Sequence, residues 1–564
     1  MADKKTKLEL TWIGKENRPK LEPRILIEDP EKSYHAAQRH GENDIFDNRL
    51  IFGDNLLALK ALEQEFAGKI KCIYIDPPFN TGSAFEHYDD GVEHSIWLSL
   101  MRERLEILWR LLSENGVIWI NIDDHEGHYL KVLCDELFGR ESFVSTIIWE
   151  NFYGRSNAAA ISPSHNYIFV YSPMGLNWKK VRRLIPRDER SSRKYQNPDN
   201  DPRGPWRLGP IFAAEERHEG LMYTIQIPSG RSVAPPKGSH WRMTKNDFWK
   251  MVKDGRITFG ESGDNNPAIK LYLNEVQQGL VPRTLWPHRE AGHSQEAKRE
   301  IQAIFPEILP FDTPKPERLL NRIIHISSDP GDWVLDSFAG SGTTAAVAHK
   351  MNRRWITIEL GENCDIFVQP RLKKVVDNSD KGGITPLVNW KGGGGFRYYR
   401  LGPSLIVEDE WGNPVINPEF NAAMLAEAMC KLEGFEYAPS EDVYWIHGKS
   451  TETDYLYVTT QFMSKEMLTR LSDEVGLERS LLICCSAFRC DPSQFPNLTI
   501  KKIPSAVLKK CEWGHDDYSL EIENLPQAPP ESEEPAGDGA SQTPRKFGKD
   551  NPNQASLFNA GGNK

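Results

Sequence analysis

Ile70-Lys71-Cys72-Ile73-Tyr74-Ile75 runs directly into Asp76-Pro77-Pro78-Phe79, and about 260 residues later Trp333-Val334-Leu335-Asp336 runs into Ser337-Phe338-Ala339-Gly340-Ser341-Gly342-Thr343-Thr344. Each apolar, β-rich run predicts a buried parallel strand, and each motif then falls at the carboxyl end of its strand. That edge is where open α/β sheets bind ligands. A Gly-x-Gly turn there lets backbone amides approach a ligand closely. A double proline with a carboxylate before it and an aromatic after it makes a rigid polar clamp beside a stacking plate. The fold class expected is therefore α/β.

The same alternation surrounds both motifs. Arg49–Phe52 reads as a strand ending at Gly53-Asp54, and 56–66 and 97–112 as amphipathic helices. Ser113-Glu114-Asn115-Gly116 reads as a helix-ending turn, 117–122 as another buried strand, and the segment up to Phe138 as a helix. These elements define a first catalytic half over 49–150, preceded by an arm at 1–48 with a strand expected near Leu8–Ile13. The second half, 306–404, holds Thr313-Pro314-Lys315-Pro316, a helix over 317–327, the glycine turn and its helix. It continues with a strand ending at Glu359, and a glycine run at 392–395 leading into another strand.

Between the halves, residues 151–305 change texture. They hold 24 Lys and Arg against 15 Asp and Glu, in a chain whose formal net charge is −11. The basic residues cluster at Lys179, Lys180, Arg182, Arg183, Arg187, Arg190, Arg193 and Lys194, with Trp178 and Trp206 interleaved. Basic side chains among aromatics suit phosphate contacts and wedging into a base stack. Residues 405–522 read as a small α/β domain, with a helix at 418–433 and strands near 443–447, 454–460 and 480–488. Residues 523–564 read as a Pro-, Glu-, Gly- and Ser-rich disordered tail.

Composition narrows the classes further. No apolar run approaches the roughly 18 residues needed to cross a bilayer, so a soluble cytoplasmic protein without a membrane partner is expected. Eight scattered cysteines with no Cys-x-x-Cys or Cys/His metal spacing suggest reduced thiols and no metal site. No cysteine follows a proline, which excludes the Pro-Cys nucleophile of cytosine carbon-5 methylation. The glycine turn lacks a third glycine at dinucleotide spacing, which weighs against NAD.

Taken together, the clamp first, the basic insert second and the glycine loop third resemble the β group of adenine-N6 DNA methyltransferases. Leu8–Gly14, Gly292–Lys298, the Thr-Pro-Lys-Pro stretch and the 392–400 segment further resemble modification subunits of type III restriction systems. The resemblance implies a circularly permuted, Rossmann-like methyltransferase sheet with an inserted target recognition domain. It implies S-adenosylmethionine as cofactor, with Asp54, Lys315, Asp336, Phe338, Ala339, Gly340, Gly342, Thr343 and Glu359 around it. Asp76, Pro77, Pro78 and Phe79 are the implied catalytic residues: Asp76 and the Pro77 carbonyl would accept the two N–H bonds of an exocyclic amine, and Phe79 would stack on a flipped base. Implied partners are duplex DNA in the nucleoid, a restriction/helicase subunit and a second copy of the chain. Gln554, Leu557 and Phe558 resemble a docking peptide for the replication sliding clamp. The alternatives left open are a solitary adenine-N6 or cytosine-N4 enzyme, and a specificity module without catalysis.

Overall fold

In the computed structural model, the described residues are 9–80, 84–85, 88–89, 94–155, 159–187, 193–215, 220–309, 311–511 and 518. An 11-stranded sheet organises them. Its strands lie in the order Leu26–Glu28, Gly395–Leu401, Asn48–Phe52, Arg354–Glu359, Trp333–Asp336, Ile70–Ile75, Leu112–Ile122, Asn166–Tyr171, Phe143–Trp149 and Leu285–Trp286, with Tyr34–His35 also pairing on Gly395–Leu401.

The two motif strands are therefore neighbours. They run parallel, with Val334 beside Cys72 and Leu335 beside Ile73, which carries both motifs to one edge. From Trp333–Asp336 the chain crosses through the helix Thr343–Lys350 to Arg354–Glu359 on one side. From Ile70–Ile75 it crosses through the helix His94–Leu111 to Leu112–Ile122 on the other. Connections leaving in opposite directions open a crevice between two strand ends, and the two motifs flank it.

Alternation along each strand separates two cores. Cys72, Tyr74, Val117, Trp119 and Val334 pack under helices Glu317–Ser327, Thr343–Lys350 and Gln369–Val376. Ile73, Ile75, Ile118, Ile120 and Leu335 pack under helices Asn55–Phe66, His94–Leu111 and Gly127–Phe138. The central strands are buried on both faces, which is why they read as nearly continuous apolar runs rather than as alternating ones.

Several sequence expectations change in detail. Residues 9–13 form no strand; Leu10 donates its amide to Glu136 at 3.1 Å and Trp12 its indole to Ser99 at 2.7 Å, pinning the arm to helices. No separate turn occupies 113–116, because Leu112 already pairs with Ile70 and the strand starts at the helix end. The sheet also extends past the expected boundary at 150. Asn166–Tyr171 pairs antiparallel with both Leu112–Ile122 and Phe143–Trp149, and Leu285–Trp286 lies parallel on the latter.

Inside those limits the insert has its own core of Ile211, Ile225, Ile227, Val233, Trp241, Phe248 and Ile257. Around it lie a three-stranded sheet of Trp206–Gly209, Ala268–Tyr272 and Ile257–Thr258, two two-stranded sheets and the helix Lys245–Lys253. The C-terminal region forms a five-stranded sheet whose strands Asp454–Met463, Ser480–Phe488 and Leu498–Lys502 are parallel. Its first helix starts at Ala422, capped by Asn421, and residues 443–447 are a connection rather than a strand. The tail from 523 lies outside the described residues.

Candidate active site

Asp76 is the first residue beyond the Ile70–Ile75 strand. Asn121, level with it on the neighbouring strand, donates from Nδ2 to Asp76 Oδ1 at 2.7 Å. Lys315 Nζ forms an ion pair with Asp76 Oδ2, and the same ammonium lies 5.6 Å from the Phe79 ring centre. Both oxygens of the carboxylate are thus oriented before any ligand arrives. Trp97 donates its indole N–H to the Pro78 carbonyl at 2.9 Å, fixing the turn from below. Asn80 closes the turn at φ 59 and donates to the buried Glu126 at 2.6 Å, and His94 Nδ1 lies 2.6 Å from that same Glu126 oxygen.

Across the crevice, Gly340 and Gly342 have φ of 54 and 73, a region costly for residues with a Cβ. The Gly340 amide donates to Glu359 Oε2 at 2.6 Å, and the Phe338 amide donates to Asp336 Oδ1 at 2.9 Å. Thr344 donates its hydroxyl to the other Asp336 oxygen. Burial pushes the Asp336 carboxyl up to about 7, and the charge of Asp76 adds to that rise against the two hydrogen bonds. Thr357 and Tyr74 flank Asp336 at the same level of the sheet. The hydroxyls of Tyr74, Ser337 and Thr357 are buried without a hydrogen-bond partner among the described residues. Buried hydroxyls of this kind, beside a glycine cradle, are what a polar ligand would satisfy.

Asp54 caps the helix Asn55–Phe66, accepting from the Leu57 amide at 3.0 Å, and pairs with buried Arg104 at 3.4 Å. Next to it, Asn55 donates to the Ser337 carbonyl at 2.8 Å and accepts from Arg104 Nε at 2.6 Å. Asp54 therefore shapes this wall of the crevice while doing the work of a helix cap. Lys315, expected on the cofactor side, pairs with the clamp carboxylate.

A buried ionic cluster ties the two motifs together. Glu317 begins the helix just after Lys315-Pro316 and accepts Lys350 at 2.8 and 2.9 Å and Arg371 at 2.9 Å. Lys350 also pairs with Asp380 at 2.6 Å, and all four side chains are at most 1% exposed. Arg371 donates to the Ser341 carbonyl at 3.1 Å and to Thr343 Oγ1 at 2.8 Å, so the glycine loop rests on this cluster. Glu300 accepts the Glu317 amide at 3.0 Å; burial and the Glu317 charge push its carboxyl up to about 7. The native state therefore disfavours ionised Glu300, and stability is lost as pH rises from about 4.5 through 7. Glu300→Gln should match the wild type at pH 4.5 and exceed it by roughly 2 kcal/mol at pH 8, as read by denaturant titration at both pH values.

Of the basic residues of the insert, Lys179, Lys180 and Arg183 lie away from this crevice. Lys179 and Lys180 end the short helix Gly175–Lys180, which follows Tyr171 at the amino edge of the sheet. Arg183 donates its amide to the Ile326 carbonyl at 2.9 Å, at the far end of the helix that begins beside Lys315. Arg182 and Arg187 flank it, Arg193 and Lys194 are exposed further along, and Arg190 lies outside the described residues.

The sequence pattern of the DNA methylase family matches residues 70–368, a span that takes in the clamp, the insert and the glycine loop. The chain belongs to the DNA methylase family. The probable type III restriction-modification enzyme HindVI Mod subunit of Haemophilus influenzae is 32% identical over 432 residues, covering 66% of this chain and 56% of its own length. The type III restriction-modification enzyme StyLTI Mod subunit of Salmonella typhimurium is 30% identical over 377 residues, covering 61% and 56%. The type II methyltransferase M.EcaI of Enterobacter cloacae is 31% identical over 323 residues, covering 56% and 67%. The chain thus spans little more than half the length of the two Mod subunits. Among the residues around the crevice, the sequence alone did not reveal Asn121, Trp97, Glu126, Asn55, Arg104 or Arg371. Asn121 alone carried a signal, as a polar residue near the end of the apolar run 117–122.

Proposed function

We propose that the chain is a site-specific DNA methyltransferase acting on the N6 amine of a flipped-out adenine, working as the modification and specificity subunit of a type III restriction-modification system. The observation that carries this reading is the oriented Asp76 carboxylate facing the glycine loop across one crevice. S-adenosylmethionine, when bound, supplies an electrophilic methyl group. The glycine loop, the buried Glu359 and Asp336, and the wall built by Asp54 and Asn55 are the residues that would hold it, with Phe338, Ala339 and Thr343 shaping the loop. Lone pairs left on the Asp76 carboxylate after Asn121 and Lys315 are served can accept an amine N–H, as can the Pro77 carbonyl. Both contacts return electron density to a nitrogen otherwise conjugated with its ring. They also stabilise the positive charge that grows there, an effect typically worth a few kcal/mol per contact. Phe79 offers its face to the base, and Pro78 keeps the turn stiff. Aspartate at position 76 favours adenine over cytosine-N4 chemistry.

Incubating the purified chain with S-adenosylmethionine and bacterial genomic DNA, then mapping modified bases, tests the reading. N6-methyladenine at one sequence context supports it; unmodified DNA or N4-methylcytosine overturns it. For the loop, Gly340→Val would place a β-branched side chain at φ 54 against Phe311, 3.3 Å from the built Cβ. Calorimetry should show cofactor affinity falling about 5- to 150-fold, equivalent to the roughly 1–3 kcal/mol such strain costs.

The same reading makes duplex DNA the substrate in the cytoplasmic nucleoid and a restriction/helicase subunit the partner, with the working unit a homodimer. Among the described residues no helix is long and apolar enough to cross a membrane. Gln554, Leu557 and Phe558, outside the described residues, would dock on a sliding clamp. Titrating the tail peptide against purified clamp tests this, and absence of binding at high micromolar peptide retires it.

A further inference from the structure

Between residues 173 and 187 the chain carries Lys179, Lys180, Arg182, Arg183 and Arg187 and no acid. Arg183 pairs with Asp329 at 2.9 Å, and among the described residues the other four have no acidic partner within 4 Å. Five basic residues precede the acids Asp188 and Glu189, a local excess in a chain with a net charge of −11. The patch also has a receptacle. Arg183, Arg187, Gln278 and His325 line a cavity of about 470 Å³. Arg187 donates to the Gln277 carbonyl at 3.0 Å and stacks over Tyr195, yet its Nε is buried without a partner.

Its position sets it apart from the active site. The helix Glu317–Ser327 starts beside Lys315 at the clamp and ends where Arg183 binds the Ile326 carbonyl. Eleven helical residues span about 16 Å. The patch therefore lies at the amino edge of the sheet, while a base enters at the carboxyl edge.

We propose that this amino-edge patch is a second contact for duplex DNA, gripping backbone phosphates outside the segment that is methylated. The inference rests on the DNA methyltransferase reading and adds to it a surface that follows flanking duplex down the side of the molecule, or holds a second segment of the same DNA. Backbone phosphates suit it because the charges are spread over a surface rather than focused on one point. Two guanidinium groups on the lining of a polar bowl suit phosphate oxygens, which such planar donor forks bind well.

The test compares the full-length chain with the Lys179→Gln/Lys180→Gln/Arg182→Gln variant, in which Lys179 and Lys180 are exposed and Arg182 half-buried. Binding by anisotropy and methylation rates are measured on a short duplex that just covers the mapped site and on one extended by several helical turns. On the extended duplex the variant should bind about tenfold more weakly at physiological salt, and its salt slope should fall by about 3. On the short duplex, affinity and methylation should match the wild type. Equal loss on both lengths would overturn the proposal by placing the patch at the target segment. No loss on either would also overturn it and leave the patch to an acidic protein surface. Failure of the wild type to methylate the short duplex would instead fault the underlying reading, so the two failures are distinguishable.

Discussion

Asp76→Ala is expected to slow methyl transfer by at least two orders of magnitude while leaving cofactor and DNA affinity within about threefold of the wild type. On the proposed mechanism the carboxylate would meet an amine most strongly when charge develops on nitrogen, so its removal acts on the rate and little on binding. Its two supports make the expectation sharper. In the variant, Asn121 and Lys315 lose their shared acceptor, and the Lys315 ammonium is left to the Thr313 carbonyl at 3.4 Å and the Phe79 face. Asp76→Asn retains one acceptor oxygen but neutralises the ion pair, and should fall between the two. Single-turnover rates and calorimetric affinities for all three proteins check this. Near-normal turnover in Asp76→Ala would remove the clamp from the mechanism.

Arg371→Leu should produce the largest loss of stability, about 3–5 kcal/mol, because deleting one member of a buried ionic cluster strands the charges left behind. Lys350 and Arg371 balance Glu317 and Asp380, and none of the four reaches solvent to recover hydration. The Ser341 carbonyl and Thr343 hydroxyl lose their donor at the same time, so cofactor affinity should weaken together with stability. Denaturant titration and cofactor calorimetry read the two effects, and a variant as stable as the wild type would show that the cluster supports nothing. A Lys in place of Arg371 keeps the charge but cannot span both Glu317 and the loop. It should therefore recover stability more than affinity.

The parts of this site written in short contiguous motifs were legible in the sequence. Asp76-Pro77-Pro78-Phe79 and the Phe338–Thr344 loop each follow an apolar strand, and the local pattern alone sends both to the carboxyl edge. Their adjacency, by contrast, is a property of strand order, which depends on pairings between segments about 260 residues apart. The supports were hidden for a different reason. Arg371 and Lys350 are ordinary basic residues in helical patterns, and nothing in spacing distinguishes a buried ion from a solvated one. Lys315 was noticed through its motif, but its partner was not, because side-chain direction at a turn is set by packing. The basic run at 179–187 was conspicuous by composition, yet composition carries no information about which edge of a sheet a loop leaves from. That edge follows from the run of Asn166–Tyr171, which lies antiparallel to the central strand Leu112–Ile122.

Among the described residues, the insert joins the rest of the molecule through a narrow neck. Ile185 and Leu280 exchange backbone hydrogen bonds of 2.9 and 2.7 Å, and the structure beyond them packs on its own core. A neck two strands wide at the margin of the sheet makes everything beyond it an exchangeable cassette. Lengthening or replacing the cassette alters one closed loop, and each doubling of such a loop costs only about 0.6 kcal/mol. The crevice, four strands inward from that margin, is shielded from the change. On the proposed reading, a lineage can thus replace what lies beyond residues 185 and 280 while Asp76 stays under separate selection. Natural recombination breakpoints in its relatives should accordingly gather at this neck rather than at the sheet boundary near residue 150.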